Sequence, residues 1–119
     1  MLYQLLQIKK ETEENIQVDI QLNVDHPIFK GHFPEQPVLP GACMVQILKE
    51  VLQQANNCEL EFQKASNIKF ISLIIPKENT KLTFHIQTKA LPEGLLTVSS
   101  TLYDGEVASM KFSGTYKIK

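Results

Sequence analysis

The chain has 119 residues, 43% of them hydrophobic and 21% charged, with a formal net charge of −1. That length supports one core but not two, so residues 1–119 are expected to form a single domain, and the composition excludes a disordered polymer. The charge balance gives no bulk field for nucleic acid or an anionic membrane, and all twelve basic residues are lysine, so an anionic partner would meet point charges and not bidentate guanidinium groups.

Cys43 and Cys58 flank a predicted helix and fit neither a disulfide framework nor a zinc-ligand spacing, which implies a reducing compartment. The first residues, MLYQLLQIKKETEE, lack the apolar core and small-residue cleavage site of a signal peptide, and no apolar run is long enough to span a bilayer. A cytoplasmic protein is expected.

Residues 2 to 10 form a short apolar segment broken by the polar cluster Glu11 to Asn15. Ile16, Val18, Ile20, Leu22 and Val24 then alternate with polar residues, the period of a strand with one buried face. From Asp25 the chain reads as a loop, in which Pro34, Pro37 and Pro40 recur every third residue and favour an extended, stiffened path. Gly31 and Gly41 bracket its rigid part, where a backbone can approach closely. After Gly41 the period changes. Met44, Ile47, Leu48, Val51, Leu52 and Ala55 fall on one face of a helix over about Ala42 to Ala55, with Gln46, Lys49, Glu50, Gln53 and Gln54 opposite.

The first turn of that helix is apolar, so its free N–H groups need partners other than bulk water, and a bound carbonyl oxygen would serve. A polar connection follows, and the apolar stretch Asn67 to Ile75 reads as the next strand. Pro76 to Asn79 makes a turn, and Lys81 to Ala90 alternates as a strand. Pro92-Glu93-Gly94 and Tyr103-Asp104-Gly105 are turn signals that delimit strands over Leu95 to Leu102 and Val107 to Ile118. The order of two strands, loop, helix and about four strands in a meander predicts an α+β domain with one helix on an antiparallel sheet.

The run Pro27 to Pro34, with Pro37-Val38-Leu39-Pro40-Gly41 after it, resembles the signature of the β-hydroxyacyl-[acyl-carrier-protein] dehydratases of type II fatty-acid synthesis. The shared spacing is His-Phe-Pro-x-x-Pro-x-x-Pro-Gly, carried here by His32 to Gly41. The resemblance implies a hotdog fold, a curved antiparallel sheet wrapped around one long helix, in dimers or multiples of dimers. It makes His32 the catalytic base and gives Gly41 the role of offering its backbone N–H to a thioester carbonyl, with Phe33, Pro40 and Ala42 around the substrate. A histidine suits proton transfer near neutral pH, and a fixed N–H at a helix start stabilises charge that builds on the carbonyl oxygen.

The family's carboxylate follows the glycine by five residues, where this chain has Gln46, and the amide usual one turn later is here Glu50. Gln46 can donate a hydrogen bond but cannot deliver a proton, which leaves Glu50 as a possible acid. His26 reads as a strand terminator and His85 as a residue on the polar phase of its strand. Cys43 reads as a small core residue. No cofactor or metal is implied. The expected partner is an acyl thioester on acyl-carrier protein or CoA, handled by a homodimer or by a heterodimer with another hotdog subunit. Three functions stay open: reversible dehydration of a 3-hydroxyacyl thioester in fatty-acid or polyene synthesis, a degenerate subunit in a heterodimer, and an acyl thioesterase.

Overall fold

A computed structural model describes residues 1–31 and 36–119. Strands β1 (Tyr3–Lys10) and β2 (Asn15–Leu22) lead to a short helix α1 (Ile28–Gly31) and then to α2 (Gly41–Asn56). Strands β3 (Leu60–Phe70), β4 (Lys81–Leu91), β5 (Leu95–Asp104) and β6 (Val107–Ile118) complete one antiparallel sheet in the order β1-β2-β4-β5-β6-β3. The sheet curves around α2, the expected hotdog arrangement.

The helix forms where the periodicity places it, and the six apolar residues of its inner face are the six that are buried. They meet Val18, Ile20, Leu82, Phe84, Leu102 and Phe112 from the concave face of the sheet in one core. Each such side chain contributes about 1.5–3 kcal/mol on full burial. At the other end, Asn57 closes α2 in the left-handed conformation, φ 51° and ψ 46°. Its N–H turns back to the last carbonyls, the cap that lets the chain reverse into β3.

Two expectations are corrected. The strands after α2 are not a simple meander: β4, β5 and β6 are, but β3 lies at the far edge, with Leu60 opposite Ile118. β3 also starts earlier than its apolar run, because the stretch after Cys58 pairs with β6 although its side chains are exposed, and it ends at Phe70. Residues 71–80 form the loop into β4. Pairing geometry overrode hydropathy here, as it does in strands left uncovered by a second layer. The second correction lies in the stretch from Asp25, which contains the helical turn α1. His26 organises it: its Nδ1 accepts from the Ile28 N–H at 3.0 Å and its carbonyl accepts from the Phe29 N–H at 3.1 Å. His26 therefore closes the turn of α1 and does not terminate β2, which already ends at Leu22.

Among the described residues, β3 pairs on one side only, and it exposes Phe62, Ile68 and Phe70, with Ile71, Leu73 and Ile75 beyond its end. An edge of this length and apolarity is a template for pairing with another chain. Inside the sheet, Gly114 sits where β3 bulges toward β6. A Cβ there would lie 2.7 Å from the Lys64 carbonyl oxygen, so only glycine fits. Among the described residues, the one buried carboxylate in the sheet is Asp19, which accepts from Thr83 Oγ1 at 2.8 Å and lies 3.8 Å from Lys81 Nζ.

Tyr116 is 1% exposed, and its hydroxyl has no partner among the described residues. Burial pushes its phenol up to about 12 from an ordinary 10.0. The raised value means that its contribution to stability is full below pH 10 and is lost as the pH rises toward 12. Tyr116→Phe removes a buried, unpaired hydroxyl and is expected to leave the unfolding free energy unchanged or raise it by about 1 kcal/mol. Urea melts near neutral pH and above pH 10 check this: the alkaline decline becomes shallower in Tyr116→Phe, with Tyr3 still contributing to it. A clear loss of stability at neutral pH would mean that the hydroxyl is bonded.

Candidate functional site

The N-terminus of α2 is the best-built part of the site. Pro40, extended at φ −62° and ψ 145°, precedes the helix and has no side-chain acceptor with which to cap it. Its carbonyl accepts from Cys43 and Met44 at 3.0 and 3.2 Å, which leaves the N–H groups of Gly41 and Ala42 without an acceptor among the described residues. Free N–H groups at a helix start carry partial positive charge and suit a carbonyl oxygen or anion. Gly41, Ala42 and Met44 face an apolar groove of about 480 Å³ whose other wall is Phe70, Ile71 and Leu73. A somewhat larger hollow, about 540 Å³, lies between Gln4, Asn23 and Asn79 at the end of β1 and β2, where no helix starts.

Phe70 covers Gly41. A Cβ on residue 41 would lie 2.6 Å from Phe70 Cζ, so the glycine is needed for this close approach and not for an unusual φ. Phe70 was not foreseen as a site residue; its only sequence signal is the aromatic in the apolar stretch Asn67 to Ile75.

Of the residues singled out in the sequence, His32 and Phe33 lie outside the described residues, so their relation to the groove is not part of the geometry. Gly41, Pro40 and Ala42 come together at the groove, and Gln46 and Glu50 follow on α2. Gln46 is exposed; its Nε2 donates to Glu50 Oε2 at 3.0 Å. Glu50 is half-buried, and its other oxygen accepts from Tyr3 Oη at 2.7 Å. Tyr3, on β1, was also missed, because nothing in an N-terminal apolar segment marks a phenol as a partner for a helix 47 residues away. Burial first, then the hydrogen bond and the negative charge of Glu50, hold its phenol above the ordinary range.

Burial likewise raises the Cys43 thiol, which packs against the core as a small apolar residue. His85 is exposed on β4, edge-on to Tyr103 at 5.2 Å. No cluster of histidine, cysteine and carboxylate side chains among the described residues has the make-up of a metal site. No helix among them is long and apolar enough to cross a membrane.

The contact between Gly41 and Phe70 can be measured. Gly41→Ala is expected to cost about 1 kcal/mol by crowding the ring, and close to nothing in a Phe70→Ala background. Urea unfolding of the two single variants and the double variant gives the coupling. Equal costs in both backgrounds would show that the ring does not rest on residue 41.

Known proteins share this architecture. The 3-hydroxyacyl-[acyl-carrier-protein] dehydratase FabZ of Rickettsia massiliae is 29% identical over 108 residues, covering 82% of this chain and 73% of that protein. The bifunctional enzyme LpxC/FabZ of Bacteroides thetaiotaomicron is 24% identical over 94 residues, which span 71% of this chain but only 20% of that protein. Among solved structures, a chain of the dehydratase heterocomplex ApeI:P from Xenorhabdus doucetiae superposes with a TM-score of 0.73 at 22% identity, covering 99% of this chain and 98% of that one. A mutant of thioesterase PA1618 from Pseudomonas aeruginosa superposes with a TM-score of 0.66 at 13% identity, covering 93% and 78%. The two superpositions establish the shared fold. The family model described as ApeI dehydratase matches residues 8–112, and the chain belongs to the ApeI-like dehydratase family.

Proposed function

We propose that the protein removes water reversibly from a 3-hydroxyacyl thioester, carried on acyl-carrier protein or CoA. The observation that carries this reading is the uncapped start of α2, where the N–H groups of Gly41 and Ala42 border an apolar groove. A thioester carbonyl placed there gains a hydrogen bond that strengthens as negative charge builds on its oxygen, and the groove accepts the acyl chain.

The carbon–hydrogen bond at C2 breaks and its proton passes to His32, with the charge spreading onto the carbonyl oxygen. The carbon–oxygen bond at C3 then breaks as the C2–C3 double bond forms, and the departing hydroxide takes a proton to leave as water. Gln46 has no proton of suitable acidity to give. The proton collected by His32 is therefore the one returned, and a single histidine closes the balance. Gln46 holds the hydroxyl, and Glu50 supports Gln46.

A second reading, a subunit that works only beside another hotdog chain, is favoured by two observations. β3 leaves a long apolar edge open, and the similar Xenorhabdus chain comes from a heterocomplex.

The test is intact-mass spectrometry of a 3-hydroxyacyl carrier protein incubated with the purified chain. Loss of the mass of one water is expected, and His32→Ala should slow it by about a hundredfold or more. No change while a standard dehydratase removes water would overturn the reading for the chain alone. Conversion only in mixture with a second hotdog protein would assign the partner reading, and release of free acid would assign a thioesterase.

A further inference from the structure

Gln46 does not stand alone at the position where a carboxylate was expected. It is the outer end of a three-member chain that begins in the sheet. Tyr3 is nearly buried at the start of β1, opposite Leu22. Its hydroxyl donates to Glu50 Oε1 at 2.7 Å, and Gln46 Nε2 donates to Glu50 Oε2 at 3.0 Å. Both oxygens of Glu50 accept, the pattern of a carboxylate with no hydrogen of its own to offer.

This has a directional effect on Gln46. A free side-chain amide can present either its nitrogen or its oxygen by turning over. Here a turn would set Gln46 Oε1 against an oxygen of Glu50, acceptor against acceptor. The nitrogen is therefore held toward Glu50 and Oε1 is turned away from it, with no donor to Oε1 among the described residues. Tyr3 makes the arrangement rigid: it ties Glu50 to the sheet, so the carboxylate cannot follow the amide outward.

We propose that Tyr3 and Glu50 are positioning residues that fix Gln46 as a hydrogen-bond acceptor, so that the site selects a thioester with a 3-hydroxyl, a donor, over one with a 3-oxo group, an acceptor only. This rests on the dehydratase reading, which puts the substrate's C3 oxygen beside Gln46. It also makes Glu50 a positioning group and not the acid, since both of its oxygens are engaged. The exchanged order of amide and acid along α2 then has a function: the acid one turn further along orients the amide.

The experiment uses two stable probes, pantetheine amides of the same acyl chain bearing either a 3-hydroxyl or a 3-oxo group. Binding of both is measured by calorimetry to the native protein, Tyr3→Phe and Glu50→Ala. The native protein is expected to favour the hydroxyl probe by about fivefold, the effect of one hydrogen bond. In both variants the ratio should fall to about one, while the 3-oxo probe binds no more weakly than before. A purely structural role for Tyr3 would weaken both probes together and leave the ratio intact.

The side-chain amide protons of Gln46 give an independent reading by NMR. Slow exchange of one of them in the native protein, lost in Tyr3→Phe, is the expected signature. Bound probes with an unchanged ratio in Tyr3→Phe would overturn the positioning role alone. Failure of both probes to bind the native protein would overturn the thioester reading and the selectivity with it.

Discussion

Burial of one face of α2 against the curved sheet is the constraint on which the candidate site depends. Met44, Ile47, Leu48, Val51, Leu52 and Ala55 fix the rotation of the helix. With that rotation fixed, Ala42 and Gln46 face outward, Glu50 lies at the flank within reach of Tyr3, and the helix start opens into the groove under Phe70. A slip of one residue in the helix phase would turn Gln46 and Glu50 by about 100° and take Glu50 away from Tyr3 on the sheet. The core thus orients the candidate site as well as stabilising the fold.

Much of this was legible in the sequence because periodicity is a local signal. The helix was expected over Ala42 to Ala55 and spans Gly41–Asn56, with all six inner residues as foreseen. The strict alternation from Ile16 became β2, and the Asp104-Gly105 signal became the β5–β6 turn, with Gly105 at φ 64°. What escaped was set by contacts far apart in the chain. β3 took a polar stretch because β6 offered it an edge. Tyr3 and Phe70 acquired their positions only when β1 and the end of β3 were brought to the flank and the start of α2. No spacing rule relates residue 3 to residue 50.

The Tyr3–Glu50–Gln46 chain also changes the meaning of the missing carboxylate. From sequence, Gln46 reads as a donor that has lost its acid function. In the structure one N–H of its amide is donated to Glu50, and its Oε1, turned away from that carboxylate, has no donor among the described residues. An acceptor can hold a hydroxyl but cannot protonate it, so in the proposed chemistry both proton transfers fall to His32. The open edge of β3 is consistent with a second chain beside this one, since a site at the margin of α2 gains shelter from water when another subunit covers that side.

The central claim is that turnover is histidine-centred and that Gln46 is a working part of the site and not a damaged acid. The most direct measurement is the rate of dehydration of a 3-hydroxyacyl carrier protein by Gln46→Glu beside the native chain. Restoring a carboxylate at residue 46 sets it against Glu50 one turn away, a like-charge pair, and removes the held amide. No gain in rate is predicted. A gain of about a hundredfold or more would contradict histidine-centred chemistry and identify the native chain as an impaired enzyme awaiting an acid from elsewhere.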